Sequence, residues 1–231
     1  MSSLHILSGG AAQGLVQQLR GNFYNETGRA IEGSFGAVGA MRDKLLAGEP
    51  CDVLILTQAL IEELTVAGRV QPGSARALGR VRTGVAVKTG EPQPRVDTPD
   101  ALKAALLAAR GIYVPDPHKA TAGIHFMGVL RRLGLDQQLA PLLRTYPNGA
   151  AAMQAMAEAA EPGLIGCTQV TEILYTPGVQ LIALLPKEFE LATVYTAAVA
   201  SKAEQPQAAR LLIDMLSAAE AAPLRRAGGF D

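Results

Sequence analysis

Apolar positions at the start of the chain change from a strand pattern to a helix pattern. Residues 4–7 form a short, mostly apolar run, and after two glycines Leu15, Leu19 and Phe23 recur at helical spacing. This pattern predicts a buried strand followed by an amphipathic helix that ends at Gly28, because glycine is a common capping residue. The double glycine therefore joins a strand to a helix.

The same alternation repeats along the first third of the chain. Residues 30–35 and 52–57 are predicted strands, and Met41, Leu45 and Leu46 mark the apolar face of the helix between them. A further helical pattern follows the third strand. Strict alternation of strands and helices is typical of a mostly parallel sheet with helices on its faces, and such sheets bind ligands at the carboxyl ends of their strands.

A polar, proline-rich segment after Val87 interrupts the alternation and indicates a domain boundary near residues 82–88. Beyond it the pattern predicts helices at 99–109, at 119–134 and from about residues 137 and 150, and strands at 111–115, 163–167 and 179–185. We therefore expect a second α/β domain.

The last segment combines a β-branched strand at 193–201 with an amphipathic helix. The apolar face of this helix is predicted to contain Leu211, Leu212, Met215 and Leu216. The segment is too short to form a domain by itself, so we expect it to pack on the first domain. The predicted domains are residues 1–82 with 198–231, and residues 83–197.

Composition places the chain among ordinary globular proteins. With 231 residues, 48% of them hydrophobic and 18% charged, it can bury a sizeable core. Lysine plus arginine equal aspartate plus glutamate at 21 each, so no basic surface for nucleic acid is expected. Any partner must therefore be recognised locally.

The sequence shows neither a membrane span nor a secretory leader. No apolar run approaches the roughly 20 residues that cross a bilayer, and the amino terminus lacks the basic region, apolar core and cleavage site of a signal peptide. As written, the chain is therefore expected in the cytoplasm. If a leader has been removed, the expected location is the periplasm.

The two cysteines and the common cofactor motifs give no sign of a cofactor. Cys51 and Cys167 lack the spacing of paired metal ligands, and both are expected to be small buried residues, not a disulfide, metal ligands or nucleophiles. There is no P-loop, the opening glycines depart from the dinucleotide fingerprint, and zinc-protease and serine-hydrolase motifs are missing. We accordingly predict no metal and no cofactor.

Three loops share a design that suits anions. At residues 8–12, 35–39 and 116–123 a strand ends, small residues follow and a helix begins. Such junctions present free backbone N–H groups at the positive end of a helix, and small side chains let a ligand approach them. The alternative is that strand-to-helix turns need small residues in any case.

The three histidines are scattered along the chain. His5 in a strand and His125 on a helix are expected to be structural. His118 and Lys119 stand directly before a helix start, where a cationic side chain adds to the attraction of the helix for negative charge. A solvated pair of loop residues is the alternative interpretation.

Four stretches carry a resemblance to a known family: "SGGAAQGLVQQLRGNFYNETG", "GSFGAVGAMRDKLLAGEPCDVLILT", "PHKATAGIHFMGVLRRLG" and "TVYTAAV". With the order of elements, they resemble the molybdate-binding, ModA-like branch of the type II periplasmic binding proteins over almost the whole chain. The resemblance implies a two-lobed α/β fold, each lobe a mostly parallel sheet flanked by helices, with crossover strands near residues 82–87 and 193–199. It also implies a monomer that closes over a small anion, with an ABC transporter permease as partner if the chain is exported.

The family's ligand residues, mapped onto this sequence, show where the chain departs from the pattern. Ala11 and Val38 stand where the family has ligand-binding serines, and Gly166 or Cys167 stands where it has a tyrosine. Each lost hydrogen bond to a charged ligand costs roughly 1.5–3 kcal/mol, so tight molybdate binding is not expected. Lys119 and the space left by the tyrosine suit a carboxylate better.

Two functions follow from these observations. The first is a solute-binding protein for a small oxyanion or carboxylate. Its predicted ligand residues are Ser8, Gly9, Gly10, Ala11, Gly36, Ala37, Val38, Thr57, Lys119, Ala120, Thr121, Ala122, Asn148, Thr168, Gln169 and Tyr195. The second is an isomerase of a small carboxylate, because "IGCTQVTEIL" is similar to a segment of aconitate isomerase; His118 is then the candidate base and Lys119 holds the carboxylate.

Overall fold

The computed structural model describes residues 3–231 and divides them into two compact units. The first unit comprises residues 3–81 together with Thr193–Asp231, and the second is Arg82–Ala192. The predicted division, after residues 82 and 197, differs from these breaks by one and five residues. The chain therefore passes between the units twice.

Strands and helices alternate along most of the chain. The strands are β1 (Leu4–Gly9), β2 (Ile31–Gly36), β3 (Val53–Thr57), β4 (Arg76–Lys88), β5 (Gly111–Pro115), β6 (Leu143–Tyr146), β7 (Leu164–Gln169), β8 (Val179–Leu184) and β9 (Ala192–Val199). The helices are α1 (Gln13–Thr27), α2 (Val38–Leu46), α3 (Gln58–Val66), α4 (Pro99–Ala108), α5 (Thr121–Leu133), α6 (Asp136–Leu139), α7 (Gly149–Glu158), α8 (Val170–Tyr175), α9 (Pro206–Ser217) and α10 (Ala222–Ala227). The two passages between the units lie within β4 and β9.

The sheet of the first unit has the strand order β2-β1-β3-β9. β1 is parallel to β2 and β3, whereas β9 runs antiparallel to β3. α1 ends as predicted at Gly28, whose φ of 65° is left-handed. Leu15 of α1, Met41 of α2, Ile61 of α3 and Leu212 of α9 enter one buried cluster with the strands. The carboxyl-terminal segment therefore packs on the first domain, as predicted.

The sheet of the second unit has the order β8-β4-β7-β5-β6. β5 is parallel to β6 and β7, and β4 is antiparallel to β7 and β8. Successive side chains of β5 enter opposite faces of the sheet, as strand geometry requires. Ile112 and Val114 pack with α4 and α5, and Tyr113 packs with Met153 and Met156 of α7. Helices therefore cover both faces.

Some details differ from the sequence expectations. Leu46 is 50% exposed, because Met41 and Leu45 take the core side of α2 and Leu46 lies about 100° further round the helix. The helix predicted from residue 137 is the single turn α6. β6 and α8 are additional elements. β6 gives no apolar run because it is an edge strand whose residues are all partly exposed, and α8 has only six residues.

Candidate functional site

The carboxyl ends of the parallel strands in the first unit lie at one edge of its sheet. β1 ends at Gly9, which pairs with Gly36 at the end of β2. β3 ends at Thr57, which caps α3 and pairs with Tyr195 on β9. The first two of the predicted small-residue loops therefore begin at the same edge.

Gly9 lets three elements pack closely at this edge. A Cβ on Gly9 would lie 2.8 Å from Val38 Cγ1 at the start of α2 and 3.0 Å from Tyr195 Cε1 on β9. The hydroxyl of the fully buried Ser8 donates a hydrogen bond to the Gly9 carbonyl oxygen at 2.8 Å. The Thr196 hydroxyl beside Tyr195 is buried without a partner among the described residues. The predicted residues of the first unit are thus brought together.

The loops after β1 and β2 offer backbone groups more than side chains. Gly10–Ala12 forms a buried 3-10 turn before α1, and Ala37 precedes α2 without a side-chain cap. Ala11 and Val38, mapped to the family's serines, are buried and apolar. At these two positions a ligand can hydrogen-bond only with the backbone.

The second unit repeats this arrangement. β5, β6 and β7 are parallel and end at Pro115, Tyr146 and Gln169, with Pro115 opposite Tyr146. α5, α7 and α8 begin within a few residues of these ends. β4 runs beside β7 in the opposite direction and places Thr83 opposite Gln169. Residues paired in this way direct their side chains to the same face of a sheet.

Asp116 shapes the loop that leads into α5. Its Oδ1 accepts hydrogen bonds from the N–H groups of His118 at 2.7 Å and Lys119 at 3.0 Å. Both of these side chains are exposed. The predicted residues Lys119–Ala122 lie where this loop enters the first turn of α5, which has no side-chain cap.

Two of the predicted side chains are engaged within the second unit. Asn148 Oδ1 accepts the Ala151 N–H at 2.8 Å and so caps α7. The buried Thr168 hydroxyl donates to Glu172 Oε2 at 2.6 Å. Because both side chains already have partners, we expect them to position the site and not to select the ligand.

Glu172 carries a buried carboxyl group that the sequence analysis does not identify. Its Oε1 accepts the Gly149 N–H at 3.2 Å, and the N–H groups of Ala150 and Gln169 also bond to the carboxyl. Burial raises the pKa of Glu172, while the hydrogen bonds from Thr168 and from these N–H groups lower it in part. A glutamate three residues after a helix cap has the capping-box spacing, which is the signal that predicts such a residue.

The Glu172 carboxyl group fills the space between the starts of α7 and α8. Helix amino termini bind acceptor oxygens, and here the carboxyl oxygens of the protein's own Glu172 take that place. A Cβ on Gly149 would overlap Glu172 Oε2 and Thr168 Oγ1, so glycine is required beside the carboxyl group. A ligand at this edge therefore finds the first turn of α7 already occupied.

We expect Glu172→Gln to change the pH dependence of stability. The Glu172 pKa is raised in the folded chain. Above about pH 4.3, the ordinary pKa of glutamate, the native protein therefore binds more protons than the unfolded one. The stability of the wild type relative to Glu172→Gln should therefore fall as pH rises above the ordinary glutamate pKa, by at most about 1.4 kcal/mol per pH unit. Urea unfolding of both proteins measures this difference in the free energy of unfolding. If the wild type instead became more stable relative to Glu172→Gln as pH rises, the raised pKa of Glu172 would be contradicted.

At this edge, Gln169 has a side chain whose two polar atoms both lack hydrogen-bond partners among the described residues. Its side chain is 2% exposed, and neither Nε2 nor Oε1 has a hydrogen-bond partner within residues 3–231. The hydroxyls of Thr83 and Thr171 are also buried and unpaired there. Buried polar groups are nearly always paired, and an unpaired one costs about 1–3 kcal/mol. Thr83, Gln169 and Thr171 are called the polar cluster below.

The remaining histidines lie away from the carboxyl ends of the strands. His5 Nδ1, near the start of β1, lies 3.7 Å from Glu32 Oε2. His125 Nε2, in the second turn of α5, lies 2.7 Å from the Phe189 carbonyl oxygen. Three surface cavities of about 300, 350 and 430 Å³ contain none of the predicted site residues.

Both cysteines are free thiols. Burial raises the pKa of Cys51 to about 12, and its thiol donates to the Val53 carbonyl oxygen at 3.3 Å. Cys167 is fully buried, and burial raises its pKa as well.

Residues 3–231 contain no group of three or more His, Cys, Asp or Glu residues that could hold a metal ion. None of the helices in that range is both long and apolar enough to cross a membrane.

Neither thiol should react in the native protein. At pH 8 a thiol with a pKa of about 12 is ionised only to about one part in 10⁴, and the thiolate is the reactive form. We expect a disulfide reagent to modify no cysteine in the folded chain over several hours and both cysteines in denaturant. Stoichiometric labelling of folded protein would show that one of them is accessible and activated.

A family model and a curated relative match nearly the whole chain. The model of the bacterial extracellular solute-binding proteins matches residues 4–231. The aconitate isomerase of Pseudomonas sp is 27% identical to this chain over 233 residues, which cover 96% of this chain and 85% of that protein.

Two solved structures are similar over the full length of the chain. The periplasmic molybdate-binding protein of Azotobacter vinelandii matches with a TM-score of 0.80 at 20% identity, covering 99% of both chains. The sulfate-binding protein SubI from Mycobacterium tuberculosis H37Rv matches with a TM-score of 0.75 at 15% identity, covering 100% of this chain and 86% of that one. These matches confirm the predicted type II periplasmic-binding-protein fold.

Proposed function

The chain belongs to the bacterial extracellular solute-binding proteins, and from this premise we propose that it binds a small anionic solute at the carboxyl edge of the second unit, with the polar cluster as the contact. The observation that carries the proposal is the buried, unpaired carboxamide of Gln169. Thr83, opposite it on β4, and Thr171, two residues further along the chain, also have buried, unpaired hydroxyls. Such groups are tolerated in an interior when a ligand pairs with them. The predicted residues of the first unit and the closing of the lobes stay predictions.

Negative charge suits this edge because uncapped N–H donors lie at the start of α5 and the ammonium group of Lys119 is on the loop before it. α5 leaves the N–H groups of its first turn without intrahelical partners, and no side chain caps them. His118 and Lys119 lie on the loop directly before this helix. The small side chains of Ala120 and Ala122 let an anion approach the backbone.

Titration calorimetry with molybdate, tungstate, sulfate and a panel of di- and tricarboxylates tests the proposal. We expect at least one of these anions to bind, and Gln169→Met to weaken that binding by about tenfold or more, because a hydrogen bond to a charged ligand is worth roughly 1.5–3 kcal/mol. Gln138→Met alters an exposed glutamine of the same unit and should bind like the wild type. If none of these anions binds, the proposal is contradicted.

A second candidate function is the isomerisation of a small unsaturated carboxylate. The 27% identity with an aconitate isomerase over 96% of this chain favours it. Such an enzyme removes a proton from a carbon next to a carboxylate, shifts the double bond and returns the proton elsewhere, which requires a base within hydrogen-bond reach. His118 is the proposed base, and Lys119 on the same loop is proposed to hold the carboxylate.

The isomerase candidate is tested by following cis- and trans-aconitate in the presence of the protein. We expect interconversion, and a loss of about 100-fold or more in His118→Ala. Unchanged turnover in this variant would eliminate His118 as the base. No interconversion by the wild type would leave only the binding function.

The partner and the location are also proposals. If the chain is exported, we propose that it acts as a monomer and delivers its solute to the permease of an ABC transporter. The reading frame upstream of Met1 and cell fractionation test export, and light scattering tests the monomer. A cytoplasmic location would argue against the transporter and in favour of an intracellular binding protein or enzyme.

A further inference from the structure

We infer that the solute presents a hydrogen-bond donor to Gln169 in addition to its anionic acceptor oxygens, which makes it a hydroxycarboxylate or a monoprotonated oxyanion. The inference rests on the proposed function, because it assigns the ligand class of the same site. It starts from the Gln169 carboxamide, whose nitrogen only donates and whose oxygen only accepts. Both atoms are buried and lack partners within the described chain.

A fully deprotonated anion satisfies only part of the polar cluster. Its oxygens can accept hydrogen bonds from Gln169 Nε2 and from the hydroxyls of Thr83 and Thr171, but they would bring lone pairs towards Gln169 Oε1. That oxygen then remains buried and unpaired. Turning the carboxamide over does not change the requirement, because one end still donates and the other still accepts.

Several donors around the start of α8 are committed to the Glu172 carboxyl group. The backbone N–H of Gln169 bonds to this carboxyl group, as does the Gly149 N–H. The hydroxyl of Thr168, the preceding residue, donates to Glu172 Oε2. Glu172 thus collects these donors, and while the hydroxyls of Thr83 and Thr171 donate to the anion, the ligand is left to supply a donor to Gln169 Oε1.

This requirement also separates the two candidate functions. Fully ionised aconitate has acceptor oxygens only, whereas citrate carries a hydroxyl group on a similar carbon skeleton. Sites built to hydrogen-bond a ligand hydroxyl discriminate strongly against the analogue that lacks it. We therefore expect citrate to bind more tightly than aconitate.

Calorimetry with matched pairs of anions tests the inference at mildly alkaline pH, where the carboxyl groups are ionised. The pairs are malate with succinate, citrate with tricarballylate, and hydrogenphosphate with sulfate. In at least one pair, the wild type should bind the member with a donor about tenfold or more tightly than its partner. In Gln169→Met the ratio should fall to within about twofold, and in Gln138→Met it should match the wild type.

The outcomes distinguish this inference from the proposed function. If anions bind but the two members of every pair bind equally, or aconitate binds more tightly than citrate, the donor requirement is overturned and the binding function stands. If no anion binds, the proposed function fails and the inference fails with it. The comparison of pairs uses the wild type, so it stands even if Gln169→Met does not fold.

Discussion

Gly123→Ala will lower the free energy of unfolding by about 3 kcal/mol or more. Gly123 lies in the first turn of α5, where a Cβ would overlap the Asp116 carbonyl oxygen and lie 2.5 Å from that of Pro115. Both obstacles are backbone atoms next to the end of β5, so no side chain can rotate out of the way. Overpacking costs about 1–3 kcal/mol in general, and the cost is greatest when backbone must move.

Gly128→Ala is the matched control for this prediction, since it adds the same methyl group to the same helix. A Cβ at Gly128 meets nothing within 4 Å beyond its own helix. Alanine is favoured over glycine in a helix interior by about 0.5–1 kcal/mol, so this variant should be more stable than the wild type. Urea unfolding measures both variants, and equal effects would contradict the close approach of α5 to β5.

Gln169→Met will stabilise the protein without ligand by about 1–2 kcal/mol while it weakens ligand binding. The wild-type carboxamide is buried with both polar atoms unpaired, and this costs free energy whenever no ligand is bound. Methionine has a similar length and leaves no strong polar group behind. The same change therefore has opposite signs for stability and for function, as expected at a binding site.

Thermal and urea unfolding of ligand-free Gln169→Met, beside wild type and Gln138→Met, measure the gain in stability. Gln138 is exposed, so its replacement should change the free energy of unfolding by less than about 0.5 kcal/mol. A destabilised Gln169→Met would mean that the carboxamide has partners in the free protein. The polar cluster would then be a structural feature.

The sequence predicts those parts of the fold that have strong local signals. β5 is predicted at its observed bounds because an apolar run stands between a helix pattern and a proline-containing loop. The end of α1 follows from Gly28, the residue that accepts a left-handed φ. β6 is not predicted because its sequence has no strand pattern of its own. It forms a strand by pairing with β5. Elements that depend on distant partners leave little trace in one sequence.

The candidate site is predictable in its loops and not in its hydrogen bonds. Small residues before helix starts identify the carboxyl edges of both sheets. Gln169 is among the ligand residues predicted from the sequence and stands in the segment "IGCTQVTEIL". Thr83 joins it only through the register of β4 against β7, which no local pattern encodes. The engagement of Asn148 and Thr168 by their own unit depends likewise on side-chain placement.

The two passages of the chain between the units affect how it folds during translation. The second unit, Arg82–Ala192, is continuous, so all of its residues are synthesised before the chain returns to the first unit. The first unit must wait for Thr193–Asp231, and until then β3 lacks β9, whose Val199 pairs with Val53. An unpaired strand edge invites association with other chains. The unfinished first unit is therefore the part of a nascent chain that chaperones and proteases will encounter.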